Sequence, residues 1–174
     1  MSKINRSGLK SPSTHVINGL SNLSTETKTN FAICHRESAA ESCWKIPVHD
    51  ANGRRICNVE YILRCDYGDS QFRLIPFCNK GMLFNYHRVL AEHANGHLII
   101  TENLIDCLRL WQAGSRRVIC KFGNTFSRNE ESLIMEVENG QGILLLCRRY
   151  KFSTLNQIIL KRLSLKAFIK RINW

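Results

Sequence analysis

The segment His97–Lys121 constrains the fold more than any other part of the chain, because it reads as a strand, a helix and a second strand. Leu98–Ile100 form a short apolar run, which is typical of a strand covered on both faces. Apolar residues then recur at helical spacing as far as Trp111, and Gly114 ends the predicted helix. A second apolar run, Val118–Cys120, follows at once. The spacing therefore predicts a right-handed parallel crossover in an α/β sheet.

Three segments resemble one known family. Ile99–Asp106, followed by Trp111–Gly114, is similar to the first motif of the Toprim domain of bacterial-type DNA primases, topoisomerases and some nucleases. Upstream, Trp44–Arg54 is similar to the "apolar-Pro-apolar, Arg-Asp-x-x-Gly-Arg" hairpin of the primase polymerase core. Phe77–Arg88 resembles that core's segment of Phe, Lys and Leu-Phe/Tyr-Asn. Their order favours a primase-like protein over a Toprim domain alone, and the resemblance covers roughly residues 16–174.

The resemblance implies an α/β fold with two parts. Residues 97–174 are expected to form a Toprim-like, four-stranded, parallel-rich sheet with flanking helices. Residues 16–96 are expected to form a small, mostly antiparallel α+β subdomain like that of the primase core. Residues 1–15 are polar and basic, which predicts a mobile N-terminus. The helical C-terminal part of a full primase core is expected to be missing, so the chain reads as truncated.

Local signals predict individual elements within these parts. Ser24 is a predicted helix N-cap, and Asp50–Gly53 is a predicted hairpin turn between strands that continue to His87. A looser turn is predicted at residues 66–69. Ser127 and Glu130 form a predicted capping box at the start of a helix. Strands are predicted at residues 143–147 and 167–172, with a helix at 154–165 between them.

Glu102 is the leading catalytic candidate, because ligands of α/β sheets bind outside the carboxyl ends of the strands. The resemblance implies a general acid or base role in nucleotidyl transfer or strand cleavage, which suits a carboxylate whose pKa its surroundings can tune. Asp106, one turn later, could orient Glu102 or pair with Arg109. The alternative is an acid that only stabilises the helix dipole, by roughly 0.3 to 1 kcal/mol.

The magnesium site that the resemblance implies is incomplete in this sequence. The family has an Asp-x-Asp pair after the third Toprim strand, and here Arg148 and Tyr150 occupy those positions. A guanidinium repels Mg²⁺, which proteins hold with carboxylates. The family glycine after the glutamate is Asn103, a residue type that tolerates a left-handed backbone. We therefore expect a degenerate site with no metal ligands, no cofactor and no metal-dependent catalysis.

Charge points to a polyanionic partner. The formal net charge is +11 and the sequence pI is about 9.6, which favours nucleic acid. We expect DNA as the partner in preference to RNA. The stretch of residues 148–171 contains eight Lys and Arg and no acid. Arg148 and Arg149 are hypothesised to contact phosphate where relatives use magnesium, although a solvated basic face is an equally good interpretation for any one residue. The candidate nucleic-acid contacts are Arg148, Arg149, Lys151, Lys80, Arg73 and Arg88.

Metal sites built from cysteine and histidine are not indicated. None of the eight cysteines stands in a C-x-x-C pair, so we interpret them as buried, reduced thiols. Cys34, His35 and Cys43 match no common zinc spacing. His93 and His97 have helical ligand spacing, but the Asn-Gly between them indicates a turn.

Three functions remain open. The first is a primase-like protein, of the kind found on mobile elements, that binds nucleic acid without catalysis and for which a replication helicase or another replication protein is a candidate partner. The second is an active primase-type nucleotidyltransferase or Toprim nuclease with a rearranged magnesium site of Glu102 and Asp106, Asp66 or Asp69. The third is a decayed fragment. No run reaches the roughly eighteen apolar residues of a membrane span and no signal peptide is evident, so we expect no membrane partner and a cytoplasmic protein.

Overall fold

The computed structural model of the protein describes residues 19–64, 70–75, 81–122, 126–147 and 169–173, with side chains described for 19–62, 81–122 and 126–146. The helices are α1 (Thr25–Asn30), α2 (Tyr86–Glu92), α3 (Leu104–Gln112) and α4 (Arg128–Val137). The strands are β1 (Cys34–Glu37), β2 (Glu41–His49), β3 (Arg55–Arg64), β4 (Ser70–Ile75), β5 (Leu83–Phe84), β6 (Leu98–Thr101), β7 (Val118–Lys121), β8 (Ile143–Cys147) and β9 (Ile169–Asn173).

The chain divides into two compact units. One unit comprises Met1–Pro47 and Cys57–Phe77, and the other comprises Val48–Ile56 and Cys78–Trp174. The turn between β2 and β3 therefore belongs to the second unit. The boundaries expected from the sequence, 16–96 and 97–174, rest on the resemblance and stay a prediction.

A four-stranded sheet in the order β1-β2-β3-β4 dominates the first unit, and β1–β2 and β3–β4 pair antiparallel. Along β2, Trp44, Ile46 and Val48 are buried at alternate positions of one face, and Cys43 and Pro47 are buried on the other. Lys45 points the other way, and its Nζ lies 3.0 Å from Oε1 of the buried Glu60. The expected antiparallel character of this part is confirmed.

Helix capping agrees with the sequence prediction in both units. The Ser24 hydroxyl accepts a hydrogen bond from the Thr27 amide at 3.1 Å and opens α1. The Ser127 hydroxyl accepts from the Glu130 amide at 3.2 Å, and the Glu130 carboxylate accepts from the Ser127 amide at 2.6 Å. Both predictions are confirmed, because each cap depends only on residues three positions apart.

The second unit contains a five-stranded sheet in the order β5-β7-β6-β8-β9. The neighbours β6–β7, β6–β8 and β8–β9 pair parallel, whereas β5 pairs antiparallel with β7. The expected four parallel strands and the crossover through α3 are confirmed, and β5 adds an antiparallel edge. On one face of the sheet, a cluster of buried residues joins the strands to α2 and α4. It comprises Leu83, Tyr86, Val89, Leu98, Ile100, Ile119, Phe126, Ile134, Val137, Ile143 and Leu145.

The strand region predicted to continue to His87 ends earlier, at Asn85. This residue has the left-handed backbone angle φ 67° and precedes α2 directly. Its side-chain amide donates a buried hydrogen bond of 2.8 Å to the Val118 carbonyl of β7. Asn is one of the few residue types that adopts this conformation without large strain. The Asn of the Leu-Phe-Asn motif therefore turns the chain and anchors that turn to the sheet.

Two of the elements predicted from the sequence cannot be compared with the structure, and one more can. The turn at 66–69 and the helix at 154–165 lie outside the described residues, whereas the strand predicted at 167–172 corresponds to β9. None of the helices in the described ranges is both long enough and apolar enough to cross a lipid bilayer.

Candidate functional site

The four parallel strands of the second unit end at the same side of the sheet, which we call the carboxyl edge. It is defined by Thr101 of β6, Lys121 of β7, Cys147 of β8 and Asn173 of β9. Thr101 pairs with Cys120 on one side and with Leu146 on the other, so β6 lies at the centre of this edge. Open α/β sheets bind their ligands at such an edge.

Glu102 follows β6 directly and is partly exposed at the carboxyl edge, as the sequence predicted. The neighbouring residues hold this turn in place. The Thr101 hydroxyl lies 3.1 Å from the Asn103 carbonyl and 3.3 Å from the Ile119 carbonyl. Asn103 accepts a hydrogen bond of 2.9 Å from the Ile105 amide and caps α3. With φ −125° its backbone is extended, so this Asn serves as a helix cap and not as a left-handed residue.

Asp106 is the second predicted acid, and it lies in the first turn of α3 with only 5% of its surface exposed. Arg109, its suggested partner, is exposed on the same helix. The roles of Glu102 and Asp106 in catalysis stay predictions. Among the residues whose side chains are described, no three His, Cys, Asp or Glu side chains lie together as a metal-binding group.

Two buried thiols lie beside Thr101 at this edge. Burial is the largest cause raising the pKa of Cys107, and burial also raises the pKa of Cys120 to about 12. A hydrogen bond with Thr101 opposes both shifts. The charges of Glu102 and Asp106 add to the rise at Cys120, and that of Lys121 opposes it. Thiols held protonated in this way are poor nucleophiles, and every cysteine whose side chain is described is free.

Lys121 is a functional candidate that the sequence analysis missed. It ends β7 at the carboxyl edge and is only 1% exposed. Its Nζ lies 4.8 Å from the ring centroid of Phe126, which is also buried. The available signal was a lysine that ends the apolar run Val118–Cys120, but sequence alone does not distinguish a buried lysine from one that reaches solvent.

A second polar cluster lies where the β2–β3 turn meets α2, within the second unit. The Asp50 carboxylate accepts hydrogen bonds from the Asn52 and Arg54 amides, each at 2.9 Å, which confirms the predicted turn. The rings of His49 and His87 lie 4.7 Å apart, centroid to centroid. Burial is the first cause lowering the pKa of both histidines, and the charge of Arg88 adds to it.

The predicted nucleic-acid contacts are only partly within the described residues. Arg88 is partly buried in α2, where burial lowers its pKa and Glu92 opposes that shift. Arg73 lies in β4, opposite Glu60 of β3 in the strand register. Lys80, Arg148, Arg149 and Lys151 lie outside the described residues, although Cys147, the last residue of β8, precedes Arg148 directly. Their contacts with nucleic acid stay predictions.

The fold identifies the structural class of the protein. The described elements have the fold of the catalytic core of bacterial-type DNA primases. They comprise an antiparallel sheet and a parallel-rich sheet in which Glu102 directly follows β6. This agrees with the resemblance of the three sequence segments. No protein-family model and no curated protein sequence matches the chain.

Three solved structures illustrate the likeness. A DnaG catalytic core has a TM-score of 0.67 at 15% identity, with 92% of this chain and 65% of that chain covered. The DnaG primase catalytic domain bound to single-stranded DNA has a TM-score of 0.69 at 14% identity, with 92% and 66% covered. The E. coli primase catalytic core has a TM-score of 0.63 at 14% identity, with 92% and 64% covered. The chain thus spans just under two thirds of each, and identities this low show the fold alone.

Proposed function

We propose that the protein binds nucleic acid, DNA in preference to RNA, on a primase-core fold and without metal-dependent catalysis. The observation that carries the proposal is the match of 92% of the chain to a primase catalytic domain whose structure contains single-stranded DNA. The formal net charge of +11 supports it, because a cationic surface attracts phosphate and releases counterions on binding. A replication helicase or another replication protein is the proposed protein partner.

The proposed absence of catalysis rests on the sequence of the carboxyl edge. Glu102 is retained there, but Arg148 and Tyr150 stand where the family resemblance requires two aspartates. Without those carboxylates, Mg²⁺ lacks the negative ligands that hold it in phosphoryl-transfer sites. Arg148 and Arg149 are proposed to contact the phosphate backbone directly.

The test is a binding titration against labelled single-stranded DNA, duplex DNA and RNA of equal length, over a salt series, with and without Mg²⁺. Binding is expected to weaken with salt and to ignore Mg²⁺ at matched ionic strength. The slope of the logarithm of the binding constant against the logarithm of the salt concentration is negative. Each lost phosphate contact should reduce its magnitude by about 0.7 on single strands. The Arg148→Ala/Arg149→Ala variant should therefore lose roughly one to one and a half units of slope.

The matched control removes the same charge from another part of the second unit. Arg109→Ala/Arg116→Ala alters exposed residues of α3 and of the loop before β7, and Arg116 precedes the amino end of that strand. Its slope should change by less than that of the Arg148/Arg149 variant. Equal losses would indicate diffuse attraction and no phosphate contact at the carboxyl edge.

The same samples with nucleoside triphosphates, analysed on a gel, test for catalysis. Magnesium-dependent primers or cleavage products that disappear in Glu102→Gln would overturn the proposal and identify a nucleotidyltransferase or nuclease. Absence of binding to every nucleic acid would favour a decayed fragment.

A further inference from the structure

Lys121 occupies a position where a charged side chain is costly. It is 1% exposed at the end of β7, a strand that lies between β5 and β6 in the sheet. Its partner in β5 is Leu83, which is 2% exposed. Lysine is almost never fully buried unless it is paired. Removing an ammonium from water is costly, and a cation–π contact such as that with Phe126 offsets only part of this cost.

The pairing register identifies the acid that follows the neighbouring strand at the level of Lys121. Thr101 pairs with Cys120 in the parallel β6–β7 ladder. One residue further along each strand are Glu102 and Lys121, so their backbones leave the sheet at the same level of the carboxyl edge. Both charges influence the Cys120 thiol, in opposite directions. A carboxylate that follows β6 and a buried ammonium that ends β7 therefore lie at the same level of two neighbouring strands.

We propose that the Lys121 ammonium is the resident cation of the carboxyl edge, where it neutralises Glu102 and takes the electrostatic role that a divalent metal has in a carboxylate site. Magnesium does not fit here, because its positive charge would be added beside a buried ammonium. The inference deepens the proposed function and rests on it for the view that the carboxyl edge is the functional site.

Other acids define the competing assignment. Asp106 of α3 is buried, and its charge also acts on Cys120. Helix α4, which begins two residues after Phe126, contains the buried Glu130 and Glu131. The Glu130 carboxylate accepts a hydrogen bond from the Ser127 amide in the capping box. Asp106 and Glu131 are therefore the alternative counter-ions that an experiment must separate from Glu102.

The first experiment follows the thermal unfolding midpoint of the full chain as Mg²⁺ is raised, against NaCl of equal ionic strength. The parent protein is expected to show no Mg²⁺-specific shift. Lys121→Ser removes the ammonium, so any cation beside Glu102 then has to come from solution, and a Mg²⁺-specific gain in the midpoint of this variant supports the proposal. This gain should disappear in Lys121→Ser/Glu102→Gln.

Lys45→Ser is the matched control, because Lys45 is paired with the buried Glu60 and belongs to the other unit. It should gain no response to Mg²⁺. Stabilisation of the parent by Mg²⁺ that Glu102→Gln abolishes would overturn the proposal. If a folded Lys121→Ser variant ignores Mg²⁺, as the missing aspartates at positions 148 and 150 allow, the melts of the Glu102→Gln variants decide.

A second measurement applies even if Lys121→Ser does not fold. Glu102→Gln should lower the midpoint by roughly 5 °C or more, because it leaves a buried ammonium without its counter-ion. Adding Lys121→Met to this variant should return the unfolding midpoint most of the way to that of the parent. If Asp106→Asn or Glu131→Gln causes the loss instead, and Lys121→Met reverses the loss in that variant, the substituted acid is the counter-ion and the proposal is wrong. These melts contain no nucleic acid, so failure of DNA binding would overturn the proposed function and leave the assignment of Lys121 intact.

Discussion

The imidazole rings of His49 and His87 lie 4.7 Å apart with their planes inclined at 50°, and they join the β2–β3 turn to α2. Two charged imidazoles at this distance would repel each other. Arg88 and Arg55 add positive charge at His49, and Asp50 only partly offsets it. The contact is therefore stable with both rings neutral.

This pair should make stability depend on pH. Burial first, and then His49 and Arg88, lower the pKa of His87 from 6.5 to about 4. Between these values the unfolded chain binds more protons than the folded protein, so the free energy of unfolding decreases as the pH falls through this window. The contribution is complete above pH 6.5 and is lost towards pH 4. Urea unfolding at several pH values between 4 and 7 measures it.

His87→Gln should flatten this pH dependence, and His87→Gln/His49→Gln should flatten it further, because the pKa of His49 is also lowered. A His87→Gln protein with the slope of the parent would show that other groups cause the acid sensitivity.

Asn85 combines two stabilising features, and two substitutions separate them. Asn85→Ala loses the buried hydrogen bond to the Val118 carbonyl and places an alanine in a left-handed backbone conformation. It should therefore lower the free energy of unfolding by roughly 2 to 3 kcal/mol. Asn85→Gly loses the hydrogen bond but tolerates the backbone angle, so its cost should be roughly 1 to 2 kcal/mol. Denaturant unfolding of both variants gives the comparison. Equal costs would mean that the backbone angle contributes nothing.

Gly81, in the segment before β5, packs closely against Asn129 of α4. A Cβ at this position would lie 2.7 Å from Asn129 Nδ2, whose amide donates to the Gly81 carbonyl at 3.0 Å. Gly81→Ala should be destabilised by roughly 2 to 3 kcal/mol, because steric conflict is added to the strain of a positive φ. Gly114 also has a positive φ but no atom within 4 Å of such a Cβ, so Gly114→Ala should cost about 1 kcal/mol.

The two alanine variants would be compared by thermal and urea unfolding. Asn129→Ala should reduce the additional cost of Gly81→Ala, since it removes Nδ2, the closest atom, and Cγ. Similar losses for Gly81→Ala and Gly114→Ala would exclude the steric explanation.

The ion pair between Lys45 and Glu60 should make a modest contribution to the first unit. Lys45 is 47% exposed, so water screens the pair, whereas Glu60 is almost fully buried. Lys45→Met is expected to lower the free energy of unfolding by about 1 kcal/mol. A double-mutant cycle with Glu60→Gln measures the coupling. A stabilised Lys45→Met protein would show that the cost of burying Glu60 does not depend on this lysine.

Features that depend on short stretches of chain were predictable. The Ser24 cap, the turn at Asp50 and the box of Ser127 and Glu130 each involve residues within four positions, so their hydrogen bonds follow from the order of the residues. The crossover from β6 through α3 to β7 was predictable for a related reason, because hydrophobic periodicity reports burial along one element. The position of Glu102 at the carboxyl edge followed from that crossover.

Contacts between distant segments were not predictable from these patterns. The sequence by itself determined the elements, the basic character of the chain and the altered residues after β8. Only the tertiary structure decided that Lys121 is buried at the level of Glu102, that β5 extends the sheet, and that His49 meets His87. The physical reason is that local hydrogen bonds and periodic burial are encoded within a few residues, whereas the surroundings of a buried charge depend on which remote strands pack beside it.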